Sequence, residues 1–189
     1  MHRPLALAVM AAMLAAGPVF AEEGGGASSQ SDASQANGKQ QMSQQDRQWL
    51  DYAATDNQGE IQQSLFAEKK AQSLALKAFV RLMVNDHVQL ESQLAALVNG
   101  QSVSVPTGPG EKATKLISEM QNLQGSAFDR RFIAEQIKDH GDDIRKFSEE
   151  IQKTHDPAIR HFASEGLPML KQHLALAKAV QASMKEGGE

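Results

Sequence analysis

The chain has 189 residues, 41% of them hydrophobic and 22% charged, which allows one domain with a real core and leaves no room for a second. Its net charge of −4, with no basic cluster, excludes the Lys/Arg surface by which nucleic acids and anionic membranes are held. The lack of cysteine excludes disulfides, thiolate metal sites, cysteine nucleophiles and a lipid-modified N-terminal Cys, so a metal site must draw on His, carboxylate, Met or backbone groups.

Residues 1–21 have the form of a secretory signal peptide: a basic start (His2, Arg3), the apolar run Leu5 to Ala16, a Gly17-Pro18 break and Val19-Phe20-Ala21, with cleavage expected after Ala21. Loss of Arg3 would bring the charge to −5. No later run approaches the ~20 apolar residues of a membrane span, so the mature protein is expected to be exported, into a bacterial periplasm. Residues 22–42, rich in Gly, Ser, Gln and Ala, bury too little apolar surface to offset chain entropy and are expected to form a disordered tether.

The folded domain is expected over 43–185. Ser43 and Asp46 form an N-terminal cap for a first helix over about 43–71, with Leu50, Ala53, Asn57, Glu60, Ser64, Ala67 and Ala71 inward and Gly59 admitting a neighbour. Ser73 restarts the pattern, and Phe79, Met83, His87, Leu90, Leu94 and Leu97 form the stripe of a second helix that Asn99-Gly100 ends. Pro106 and Pro109 keep Gln101 to Gly110 irregular; Glu111 to Gln124 is a short amphipathic helix that Gly125 closes. Ser126 caps a third long helix, with Asp129 placed to favour its dipole and Ile133, Ile137, His140, Ile144, Phe147 and Ile151 as its stripe. Asp156-Pro157 starts a fourth, carrying Phe162, Leu167, Leu170, His173 or Leu174, Ala177 and Val180, with a bend expected at Gly166 to Pro168.

Four long helices, two tight reversals and a crossover of 26 residues, Asn99 to Gln124, predict an all-α four-helix bundle. The crossover lets the second and third helices run parallel as neighbours. Phe79 to His87 and Phe132 to His140 repeat one pattern, a Phe, a β-branched residue five positions on and a closing Asp-His, so parallel helices bring His87 and His140 level. Each long helix then offers one polar residue near its middle: Glu60, His87, His140 and His173. Three imidazoles and a carboxylate suit one transition metal ion, with iron, copper, manganese and zinc as candidates, and Asp86, Asp139 or Asn57 are placed to orient a ligand. The alternative is a Glu–His network that satisfies itself without metal and sets helix register. Met83 and Met169, each four residues before a histidine, read as core; His155, His161 and the pairs Asp142-Asp143 and Glu149-Glu150 read as solvated. No nucleophile elbow, phosphate loop or dinucleotide fingerprint occurs, and Val84, Ile137 and Leu170 stand where Glu-x-x-His motifs of di-iron bundles need Glu, so no residue is assigned to catalysis.

Gln58-Gly59-Glu60-Ile61, Phe79 to His87, Phe128-Asp129-Arg130-Arg131-Phe132 with Asp139-His140, and Leu167 to Leu174 together resemble the bacterial exported family known as domain of unknown function 4142, over about 47–181. The resemblance implies a ferritin-like four-helix bundle behind a signal peptide and a low-complexity tether, and it implies no reaction. The expected function is metal handling or stress protection in the envelope; a structural or interaction protein and a redox metalloenzyme are the alternatives.

Overall fold

The computed structural model describes residues 42–101 and 103–186. The expected signal peptide (1–21) lies outside the described residues, as does the expected tether apart from Met42, which packs partly buried against the core. Five helices and no strand occur among the described residues: α1 (Gln44–Lys70), α2 (Leu74–Gln101), α3 (Gly110–Met120), α4 (Gly125–Lys153) and α5 (Pro157–Glu186). The chain is all-α, and no helix among the described residues is long and apolar enough to cross a membrane.

The caps explain most boundaries. Ser43 Oγ accepts from Asp46 N at 3.0 Å and donates to Asp46 Oδ2 at 2.7 Å, and Asp156 Oδ1 accepts from Ala158 N (2.8 Å) and Ile159 N (3.2 Å). Around α3 and α4 the structure departs from expectation. α3 ends at Met120; Gly125 adopts a left-handed φ of 59° after the extended Gln124, and Gln124, rather than Ser126, occupies the N-cap of α4. Asp129 does not serve the dipole of its own helix. Its buried carboxylate accepts from Gln72 N (3.0 Å) and Ser73 N (2.8 Å), satisfying free amides at the start of α2. α5 runs on through Pro168 to Glu186.

The apolar core falls into two clusters. One joins Ala67 of α1 and Ala71 just past its end, Leu76 to Met83 of α2, Phe128, Phe132 and Ile133 of α4, and Ala177 and Val180 of α5. The other joins Trp49 to Ala54, Leu90 to Val98, Phe147, and Ile159 to Leu170 of the same four helices. The order in which each helix visits the clusters makes α1 and α5 run one way and α2 and α4 the other. The parallel sense expected for α2 and α4 is present, but they are not packed as neighbours: α2 packs on α1 and α5, and α4 chiefly on α5. Each tight reversal pairs a helix with the next in sequence, so His87 and His140 approach across the core.

Between α1 and α4 runs a polar seam. Asp129, Gln136, Asp143 and Glu150 recur every seven residues on α4, all buried. They meet, in order, the amides at Gln72 and Ser73, the Gln63 side chain (Gln136 Nε2 donates to Gln63 Oε1 at 3.3 Å), the Tyr52 hydroxyl and Gln45 Nε2 (3.4 Å). α3 rides on α1 beside this seam. A Cβ at Gly59 would stand 3.1 Å from Ala113 Cβ and 3.2 Å from Pro109 O, so glycine permits the close approach.

Asp129→Ala should lower the unfolding free energy by about 2 kcal/mol, because two backbone amides lose their acceptor. Asp142→Ala, on the solvated side of α4, should change it by less than about 0.5 kcal/mol. Urea titration of both variants checks this; equal losses would mean that the Asp129 contacts carry no stability.

Candidate metal centre

The polar layer lies between the two apolar clusters, and it contains all four residues singled out from the sequence. Glu60 is 1% exposed, His87 2%, and His140 and His173 0%. One ring nitrogen from each of His87, His140 and His173 lies within 4.8 Å of the others, with ring centroids 5.3 to 5.8 Å apart. Glu60 groups instead with His140 and Asp143, one ligand atom of each lying within 4.8 Å of the other two.

Each imidazole has its outer nitrogen bound to an acceptor. Asn57 Nδ2 donates to His87 O (3.1 Å) and Glu91 Oε2 (2.8 Å), so its Oδ1 accepts from His87 Nδ1 at 2.8 Å. His140 Nδ1 donates to the Gln136 carbonyl one turn back at 3.0 Å, and His173 Nε2 donates to the Asp86 carboxylate at 2.9 Å. These partners assign the protons, since a neutral imidazole has one N–H. The nitrogens left over are His87 Nε2, which has no hydrogen-bond partner, and His140 Nε2 and His173 Nδ1, which face each other at 3.3 Å. All three carry lone pairs.

Burial, then the neighbouring imidazoles, pushes His87 well below its ordinary range and His140 down to about 3. Burial also lowers His173, against the pull of Asp86. The rings are therefore neutral at pH 7 and available as ligands. Asn57 and Asp86, expected to orient a ligand, bind the outer nitrogens of His87 and His173. Asp139 does not: it pairs with Lys112 of α3, whose Nζ lies 3.0 Å from Asp139 Oδ1 and 3.5 Å from Asp56 Oδ1. Burial works against the Lys112 ammonium, but Asp56 and Asp139 outweigh it and hold its pKa above the ordinary value.

Asp143 departs from the solvated face expected of it. It lies one turn past Asp139, is 2% exposed, and accepts from the Tyr52 hydroxyl. Burial, then the charge of Asp56, raises it to about 8; burial, then Asp56, Asp143 and Asp139, raises Glu60 well above the carboxylate range. Sequence reasoning also passed over Asp56, Tyr52, Lys112 and Gln136. The seven-residue spacing of Asp129, Gln136, Asp143 and Glu150 was the available signal, masked by the Ile137, Ile144, Ile151 series one position on, which is only partly buried. Met83 packs in one apolar cluster and Met169 against the other, while His155 and His161 are exposed, as expected.

Residues 31–180 match the model of a family described as "Domain of unknown function (DUF4142)". No curated protein matches the chain. Among solved structures, CopM in the Cu(II)-bound form is similar in fold, with a TM-score of 0.62 and 17% identity over 73% of this chain and 96% of that one.

Above about pH 7.5 the histidines are neutral both folded and unfolded. Asp143 still titrates there, with a folded pKa of about 8 against an ordinary 3.8. Its folded pKa is raised, so its contribution to stability is full below 3.8 and is lost as pH rises through about 8. Metal-free protein should thus lose stability from about pH 7.5 to 8.5, by less than about 1.4 kcal/mol per pH unit from this group. Asp143→Asn should flatten the curve of thermal midpoint against pH; an unchanged slope in that variant would refute the assignment.

Proposed function

This chain belongs to the DUF4142 family, and we propose that it is an exported protein whose core binds one first-row transition metal ion through His87, His140 and His173. The observation that carries the reading is the convergence of three lone pairs whose protons are committed elsewhere. Burying three acceptors without a donor would cost several kcal/mol. A single proton could serve the His140–His173 pair and leave His87 Nε2 unmatched, whereas a metal cation can satisfy all three. Outer partners that orient imidazoles in this way are the usual second layer of a histidine metal site.

Neutral imidazole suits copper, zinc and iron better than manganese, which prefers oxygen. CopM, the structural neighbour, was solved with Cu(II), which makes copper the first ion to test. The helix order supports a ferritin-like antiparallel four-helix bundle with α3 in the crossover, and the 1–21 segment supports export to the periplasm. Burial of all three histidines favours retention of an ion, in metal handling or stress protection, over turnover of a substrate.

Purified protein dialysed against Cu(II) or Zn(II) should retain a histidine-bound equivalent. His87→Ala and His140→Ala should each weaken it by about 100-fold or more, and Asp86→Ala by about 10- to 100-fold through loss of the His173 orientation. Competition with a chelator of known affinity reads these values; equal affinity in the parent and His87→Ala would overturn the proposal.

A further inference from the structure

Glu60 poses a problem that the three-histidine site does not solve. Its carboxylate is buried in α1, and neither oxygen has a hydrogen-bond partner. Asp143 is in the same position on one side: Oδ1 accepts from Tyr52, while Oδ2 is buried and unpartnered. An oxygen from each carboxylate and a ring nitrogen of His140 lie mutually within 4.8 Å.

The nearby cations are engaged elsewhere. Lys112 is shared by Asp56 and Asp139, and Lys146 Nζ lies over the Tyr52 ring, 3.4 Å from its centroid. Four carboxylates, Asp56, Glu60, Asp139 and Asp143, therefore stand in one region with one ammonium paired to two of them. Three unpartnered oxygens on two buried acidic groups must be met by protons or by a cation.

From this geometry we infer a second cation position, beside the histidine site, in which Glu60 and Asp143 supply oxygen ligands to a hard divalent ion. His140 stands between the two positions, with Nδ1 committed to Gln136 and Nε2 to the histidine site. The two positions differ in chemistry: three nitrogens favour copper or zinc, and carboxylate oxygens favour manganese or magnesium. Side-chain exposure falls from the half-exposed Lys112 through Asp56, at 15%, to the buried Asp139. The inference extends the metal reading of the core but uses different ligands, so the two can fail separately.

The test is titration of Mn(II) into protein preloaded with Zn(II), with free Mn(II) followed by electron paramagnetic resonance. One further equivalent should bind. Glu60→Gln and Asp143→Asn, which keep side-chain shape, should each weaken Mn(II) at least tenfold and leave the zinc equivalent in place. His87→Ala should lose zinc and keep Mn(II). No bound Mn(II), or Mn(II) binding indifferent to both carboxylate variants, overturns the second position. Loss of zinc in Glu60→Gln with no Mn(II) bound also overturns it, making Glu60 a fourth ligand of one shared ion. Should the variants fail to fold, crystals of the parent soaked in Mn(II) decide: an anomalous peak between Glu60 and Asp143 supports the position, and its absence there refutes it.

Discussion

The protons of three imidazoles are the constraint on which the core depends. Asn57, the Gln136 carbonyl and Asp86 each accept one N–H from the outside, and each thereby turns a lone pair inward. Three neutral acceptors then meet in a layer with apolar clusters on both sides. Such a layer is unfavourable by itself and favourable around a cation. The fold supplies the positions: α2 and α4 run the same way, α5 returns against them, and the three histidines arrive at one level.

A second polar feature crosses the first. The seam between α1 and α4 joins Gln45 to Glu150, Tyr52 to Asp143, Gln63 to Gln136, and the amides at Gln72 and Ser73 to Asp129. Hydrogen bonds in so regular an antiparallel series specify register, because a shift by one turn would strand every buried group. Where the seam meets the histidine layer, both oxygens of Glu60 and Asp143 Oδ2 are left without donors. α3 covers that region, lying against Gly59 and sending Lys112 to Asp56 and Asp139.

The helix positions and three metal-ligating candidates were legible because they follow period. Ser43, Asp156 and the apolar stripes marked the long helices, and the repeat ending in His87 and His140 set them at one level. The α4 seam was not legible in the same way. A stripe of isoleucines competes with a stripe of buried acids and amides one position away, and hydropathy favours the isoleucines. Burial of Asp143 is intelligible only with Tyr52 placed opposite it. Asp129 likewise looks like a first-turn acid until α2 is seen to begin beside it, and the left-handed Gly125 moved the cap that Ser126 would have supplied.

Imidazole nitrogen shifts, measured by long-range proton–nitrogen NMR on metal-free protein at pH 7 and again after Zn(II) addition, test the convergence of lone pairs most directly. The geometry predicts neutral rings with protons on His87 Nδ1, His140 Nδ1 and His173 Nε2, and zinc-induced shifts at His87 Nε2, His140 Nε2 and His173 Nδ1. A cationic imidazolium, or a proton on His173 Nδ1 directed at His140, would show that a proton already satisfies the layer and would contradict its reading as a metal centre.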